Sequence, residues 1–261
     1  MLCFAGFVPH SPLLLESINT HRYGDVDSVV EALKSLAEDL YIAQPDVIVL
    51  FAESELMYDD AFCVNVADPY YASLEKFGDL GYEKTYHPDF GFIDAMQRHT
   101  RKQGQAISLT SDETLAFTAT VPLALLASEL PKVRIVPIAP CSLDLKTHFA
   151  FGQELREIIS STSKRVAVLA VGDMNHVAID ETEDGKQAET FAKLMKDILQ
   201  EKNSIGLLNI PKDTIDSVKD ASVRQLAMLF GVLEGRGVEA DLRYFGHPLT
   251  VGWAVAEYRL A

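Results

Sequence analysis

Cysteine is scarce in this chain of 261 residues, which has only Cys3, Cys63 and Cys141. Three cysteines cannot all pair, and none of them forms a CxxC motif, so the sequence argues against both a disulfide scaffold and a zinc ribbon. A chain of this length buries roughly 70–75% of its unfolded surface and needs neither device to hold a core. This cysteine usage favours a cytoplasmic protein.

Positive charge is also in short supply, with 23 Lys and Arg against 38 Asp and Glu, a net charge of −15. Such a surface repels phosphate groups, so we predict neither a nucleic-acid partner nor a membrane partner. No run approaches the roughly 20 apolar residues of a membrane span. The apolar segment 1–12 lacks the basic start and the length of a signal peptide. The motifs GxSxG, GxGxxG and the P-loop are absent, which disfavours several common enzyme classes.

Short apolar runs alternate with segments of helical periodicity along the whole chain. This pattern predicts a single α/β domain over residues 1–261, with a central mixed sheet covered by helices on both faces. The aromatic-rich stretch 67–86 is predicted to be a long loop, either a lid or a surface excursion. Strands are predicted at 2–8, 47–51, 61–67, 106–109, 133–138, 166–171, 238–245 and 251–259, and helices at 26–40, 89–103, 121–130 and 221–234, with further helical faces near 151–159 and 191–199.

Reactive side chains follow several of these strands, where ligands of open α/β sheets bind. His10 follows the first strand, Glu53 the second, and His176 the strand at 166–171, while His247 lies in the turn before the last strand. If these strand ends share one edge, two or three imidazoles and a carboxylate converge there. Each residue also has a structural interpretation: His10 in a rigid Pro-rich turn, Glu53 in a solvated loop, and the other two on the surface.

Other candidates are interpreted as structural. Asp173 and Asn175 have the composition of a turn. Cys63 and Cys141 are predicted core residues. The remaining histidines follow no strand and are predicted to be surface or core residues; they are His21, His87, His99 and His148.

Several motifs resemble those of one family in the same order along the chain. They are Phe4-Ala5-Gly6-Phe7-Val8-Pro9-His10-Ser11-Pro12, the segment 45–62, Thr120-Val121-Pro122-Leu123, Gly172-Asp173-Met174-Asn175-His176 and Val251-Gly252-Trp253-Ala254-Val255. Together they resemble the class III extradiol ring-cleavage dioxygenases, proteins similar to the catalytic subunit of protocatechuate 4,5-dioxygenase, and the related Memo-like proteins.

The resemblance implies a chemistry. In this family two histidines and a glutamate hold Fe(II), which leaves positions for a catechol-type substrate and dioxygen. A further histidine acts as acid–base. On the matching positions, His10 is the first metal ligand and His176 is the acid–base residue. A small aromatic substrate and association with itself or with another chain are further implications.

The chain departs from the family pattern at the other positions. Glu53 and Ser54 stand where the second histidine ligand is expected, and Ala116-Phe117 replaces another histidine. Gly246, with His247 beside it, replaces the glutamate ligand.

Two hypotheses remain open. In one, His10, Glu53 and His247 form an altered centre for Fe(II) or another divalent ion, and the chain is an extradiol-type dioxygenase. In the other, the chain is a metal-free, non-catalytic relative that acts as a partner subunit or binds a small molecule.

Overall fold

The predicted buried strands form one eight-stranded sheet in the computed structural model, which describes residues 1–21 and 23–260. Their order across the sheet is β6-β3-β7-β2-β8-β1-β10-β9. The strands are β1 (Leu2–Val8), β2 (Val47–Phe51), β3 (Phe62–Asn65), β6 (Ile107–Thr110), β7 (Arg134–Ala139), β8 (Val166–Val171), β9 (Val238–Gly246) and β10 (Trp253–Leu260), and a separate hairpin contains β4 (Tyr70–Leu74) and β5 (Asp79–Tyr86).

The central strands of the sheet are parallel, and both ends of the sheet are mixed. β2 pairs in parallel with β7 and β8, and β8 pairs in parallel with β1. β10 runs antiparallel to β1, and β9 runs antiparallel to β10. The carboxyl ends of β1, β2, β7 and β8 therefore lie at one edge, together with the turn between β9 and β10. We call this the strand-end edge.

Helices cover both faces of the sheet, which confirms the predicted fold class. One apolar cluster joins the sheet to the first and third helices, and a larger cluster joins it to the others. The helices are α1 (Asp27–Ala43), α2 (Phe90–Gln103), α3 (Phe117–Leu126), α4 (Leu145–Ser161), α5 (Glu183–Glu201), α6 (Ser204–Leu208), α7 (Lys212–Val218) and α8 (Val223–Val232).

The stretch predicted as a long loop is instead the β4–β5 hairpin. Alternate residues of β4 are buried and exposed, and Tyr70 and Leu74 are fully buried. This period of two is typical of a half-buried strand, although turn-forming polar residues at the tip obscure it in the sequence. Residues 75–78 form that tip, with Gly78 in the left-handed region at φ 92°.

The third helix begins four residues earlier than predicted and ends earlier too. Threonines interrupt the apolar run at this point, but their hydroxyl groups bond to backbone carbonyls. Thr118 donates to the carbonyl of Glu53, and Thr120 donates to that of Leu115. These bonds allow α3 to start at Phe117 with Pro122 inside it.

No helix within residues 1–21 and 23–260 is long and apolar enough to cross a membrane.

Candidate functional site

The fold places the predicted site residues at the strand-end edge, and their convergence on one cleft stays a prediction. His10 follows β1, Glu53 follows β2, and His176 follows β8, and His247 lies in the β9–β10 turn. The three imidazole rings have different neighbours: Asp173 for His10, Lys219 for His176 and Asn175 for His247.

His10 is buried, with 8% of its surface exposed, and it is joined to Asp173. The backbone N–H of His10 donates to Asp173 Oδ1 over 3.0 Å, and the ring Nδ1 lies 3.6 Å from the same oxygen. This Nδ1 is buried without a hydrogen-bond partner among the described residues. The ring centroid is 5.6 Å from that of Phe117 on α3, so His10 faces the α1 and α3 side of the sheet.

The strand that precedes Asp173 ends in a close backbone contact. A Cβ on Gly172 would lie 2.4 Å from the carbonyl oxygen of Ala221, which explains why glycine is required there. The N–H of Ala221 donates to the carbonyl of Asp173. The Gly-Asp pair therefore ties β8 to the start of α8 and fixes the carboxylate beside His10.

His247 pairs with the buried Asn175. The amide nitrogen of Asn175 donates to the carbonyl of Val177, so its Oδ1 faces His247 Nε2 at 3.0 Å. Nε2 must therefore carry the proton, because a carbonyl oxygen only accepts. Burial lowers the pKa of His247. A Cβ on Gly252 would lie 2.6 Å from Asn175 Oδ1 and 2.9 Å from His247 Nε2, so this glycine makes room for the pair.

His176 is exposed and bonds away from His10. Its backbone N–H donates to the carbonyl of Val218, and its ring Nδ1–H donates to the carbonyl of Lys219 over 2.8 Å. Val218 ends α7, whose apolar residues belong to the cluster on the face opposite α3. His176 and His10 are thus held by elements from opposite faces of the sheet. The acid–base role of His176 stays a prediction.

Glu53 lines a cleft of about 660 Å³ at the strand-end edge, which we call the acidic cleft. The tip of the β4–β5 hairpin covers one side of it, and Lys76 of that tip forms an exposed ion pair with Glu55 at 3.5 Å. The wall of the acidic cleft includes Glu53, Glu55, Leu56, Glu75, Lys76, Phe77, Asp112, Leu115 and Phe117.

An aromatic chain connects the acidic cleft with His10. The rings of Phe77 and Phe117 meet edge to face with centroids 5.3 Å apart, and Phe117 also contacts His10. Phe117 is 40% exposed, whereas His10 does not line the cleft. Phe117 therefore forms a wall between the acidic cleft and the buried imidazole.

The described residues do not fit the metal centre that the family resemblance implies. Within residues 1–21 and 23–260, no group of three or more His, Cys, Asp or Glu residues could hold a metal ion. His10 Nδ1 lies 3.6 Å from the carboxylate of Asp173, and His247 directs Nε2 at the amide of Asn175. Catalytic metals usually have three protein ligands. The geometry therefore gives no support to ligation by His10, Glu53 and His247, which stays a prediction.

The contact between Cys141 and His148 also lies at this edge, and it is structural. The buried His148 donates from Nδ1 to the carbonyl of Asp144, and its Nε2 accepts from the N–H of Cys141. Burial lowers the pKa of His148 to about 4 and raises the pKa of the Cys141 thiol. The imidazole of His148 is thus neutral, and both of its ring nitrogens are hydrogen-bonded to the backbone. The Cys141 thiol is not activated as a nucleophile, because its pKa is raised. Both Cys63 and Cys141 are buried, as predicted.

Sequence reasoning missed the residues that surround His10 in the fold. Asp173 was interpreted only as a turn residue, although its place directly after a buried strand was a signal for the site. Phe117 and Phe77 lie on a helix and a hairpin whose positions were predicted differently.

Comparison with known proteins places the chain in a family. Residues 4–256 match the family described as the catalytic LigB subunit of aromatic ring-opening dioxygenase. "Protein CA_C1420" from Clostridium acetobutylicum is 20% identical over 265 residues, which cover 95% of this chain and 55% of that protein. The chain therefore spans about half the length of this curated relative.

A solved structure supports the same fold. The crystal structure of the uncharacterized protein JW3007 from Escherichia coli K12 superposes with a TM-score of 0.67 at 13% identity, covering 98% of this chain and 99% of the other. The family match spans nearly the whole chain. The chain belongs to the family of the catalytic LigB subunit of aromatic ring-opening dioxygenases and has their fold.

Proposed function

We propose that this chain binds a small aromatic molecule in the acidic cleft and does not use the metal centre of its family. The observation that carries the proposal is the wall of this cleft, where the rings of Phe77 and Phe117 lie beside carboxylates. Clefts of 300–1,000 Å³ with apolar walls and a few polar groups are typical of small-molecule sites. The location at the carboxyl ends of the strands supports the same conclusion.

The charges of the cleft favour a positively charged ligand. Lys76 is the basic residue of the wall, and it is paired with Glu55. The remaining carboxylates, those of Glu53, Glu75 and Asp112, form no ion pair with the described residues. A ring that carries an amine would stack on the phenylalanines and approach these carboxylates. An arylalkylamine, in which an aliphatic amine that is protonated at neutral pH is attached to an aromatic ring, is therefore the proposed ligand class.

Calorimetric titration with benzylamine tests this proposal, with benzoate as a probe of the same ring and the opposite charge. We expect saturable binding of benzylamine and none of benzoate. Glu53→Gln should weaken benzylamine binding by up to about fivefold, since a solvent-accessible ion pair contributes up to about 1 kcal/mol. Glu83→Gln, an exposed change on β5 outside the cleft wall, is the matched control. Equal binding of both probes, or none of either, would contradict the proposal.

A dioxygenase reaction is the second candidate, and the free ring nitrogens favour it. Nδ1 of His10 has no partner, and Nδ1 of His247 makes no hydrogen bond to the described residues. In this candidate a rearrangement brings His10, Glu53 and His247 around Fe(II) or another divalent ion, and His176 is the acid–base residue for ring opening of a catechol-type aromatic.

Anaerobic calorimetry with Fe(II) and Mn(II) separates the two candidates. If the altered metal centre exists, Fe(II) or Mn(II) should bind tightly to the wild type, and this binding should be lost in both His10→Ala and His247→Ala. Binding that survives His247→Ala would contradict this choice of third ligand. Absence of binding to the wild type would leave the non-catalytic proposal standing.

A further inference from the structure

The tip of the β4–β5 hairpin carries an ammonium group into the acidic cleft. Nζ of Lys76 lies 3.5 Å from Oε1 of Glu55, and both residues line the cleft. This distance exceeds the roughly 2.7–2.9 Å of a charge-assisted hydrogen bond, and the two side chains are 79% and 81% exposed. An ion pair that is this accessible to water contributes little to stability. Another cation can therefore replace Lys76 beside this carboxylate.

The second lysine of the hairpin is held in a different way. Nζ of Lys84 donates to the carbonyls of Ala127 and Ser128 over 3.1 and 3.2 Å, and it lies 5.3 Å from the ring centroid of Tyr86. These contacts fasten the body of the hairpin to the end of α3. Lys84 therefore has a structural role, whereas the ion pair of Lys76 is exposed and lies in the cleft.

The hairpin tip also presents the two chemical groups of the proposed ligand class. Phe77 follows Lys76 in the chain, and its ring meets that of Phe117 with centroids 5.3 Å apart. Lys76 supplies an alkyl ammonium group, which has three donors and no acceptor. A ring and a protonated alkyl amine are the two parts of an arylalkylamine. The tip and such a ligand therefore offer the same groups to the same wall.

We propose that Lys76 is a built-in competitor, whose ammonium group occupies the carboxylate of Glu55 until the amine of a bound arylalkylamine takes its place. Two ammonium groups repel each other at short range, so the ligand amine must displace Lys76 from this carboxylate. The proposal rests on the proposed function for the ligand class. It deepens that function, because it assigns Glu55 as the carboxylate that receives the amine.

A double-mutant cycle tests the proposal by calorimetric titration with benzylamine. The four proteins are the wild type, Lys76→Gln, Glu55→Gln and the double variant. Removal of the competitor in Lys76→Gln should tighten benzylamine binding by up to about fivefold, the equivalent of an exposed ion pair. In the Glu55→Gln background the same change should leave the affinity unchanged, because the contested carboxylate is gone.

Two further variants serve as matched controls. Lys76→Arg keeps a positive charge at the tip and should show no tightening. Lys196→Gln removes the same charge from an exposed position on α5, outside the cleft wall, and should bind benzylamine as the wild type does.

Equal tightening by Lys76→Gln in both backgrounds would overturn the proposal, because the lysine would then act only through its charge at a distance. Unchanged or weakened binding in Lys76→Gln would overturn it as well. In both cases benzylamine still binds, so the acidic-cleft proposal stands. Absence of benzylamine binding to all four proteins would overturn the proposed function, and this inference with it.

Discussion

His148 shows how one buried residue links this fold to pH. In the folded chain its Nε2 accepts from the N–H of Cys141, so a proton on Nε2 would face another donor. Burial lowers its pKa from 6.5 to about 4. The unfolded chain therefore binds a proton between these values when the folded chain does not. As pH falls from about 6.5 to about 4, the free energy of unfolding must decrease.

We predict that His148 accounts for up to about 3 kcal/mol of the decrease in the free energy of unfolding over this pH range. The value follows from its pKa shift, because each pKa unit corresponds to about 1.36 kcal/mol. Urea denaturation of the wild type and of His148→Gln, at a series of pH values, measures it. The difference in the free energy of unfolding between the wild type and His148→Gln should shrink as the pH falls from about 6.5 to about 4, and it should stay constant above pH 6.5. His21→Gln, at an exposed position, is the control and should follow the wild type. A difference that does not depend on pH would contradict a neutral buried imidazole.

Other residues at this scale explain why the site was only partly predictable. His10 and Glu53 could be placed at one edge because each directly follows an apolar strand. Which way each side chain points depends on neighbours distant in sequence. Asp173 holds the backbone of His10, and Asn175 orients His247, and both contacts join segments more than 70 residues apart. A list of residue types after strands contains no information about these pairings.

At the scale of elements, α4 and α8 cross at two glycines. A Cβ on Gly152 would lie 2.1 Å from the carbonyl oxygen of Met228, and a Cβ on Gly231 would lie 2.1 Å from that of Phe149. Neither helix can move away easily, because α8 is almost wholly buried between α4 and the sheet. The close approach of the backbones therefore depends on the absence of both side chains.

We predict that Gly152→Ala lowers the free energy of unfolding by about 2 kcal/mol or more, because overpacking forces the backbones apart. Gly91→Ala is a matched control in the first turn of α2, where a Cβ would make ordinary contacts, the shortest 3.4 Å. This control should be neutral or stabilising by up to about 1 kcal/mol, from helix propensity. Urea denaturation of both variants checks the prediction, and equal effects would contradict the account of this crossing.

Elements also differ in how well the sequence predicts them. A short, continuous apolar run such as Val166–Val171 is typical of a strand that is buried on both faces, and all six of these residues are buried in the fold. The start of α3 was predicted too late because two threonine hydroxyls bond to the backbone in the fold. The β4–β5 hairpin was hidden by its polar tip. Both deviations border the acidic cleft, and they are the reason its wall could not be predicted.

At the scale of the whole molecule, the family fold is present, whereas the part of the chain that the structure describes holds no group of three or more His, Cys, Asp or Glu residues placed to bind a metal ion. The family model matches residues 4–256, and two apolar clusters join the sheet to its helices. The central claim is therefore that this chain has kept the LigB architecture without its metal centre.

The most direct test is the metal content of the whole chain. The protein would be purified without a histidine tag, incubated anaerobically with ferrous iron, desalted, and analysed for iron, manganese and zinc by mass spectrometry. We predict far less than one metal ion per chain, with no difference between the wild type and His10→Ala. One tightly held ion per chain in the wild type, lost in His10→Ala, would contradict the account.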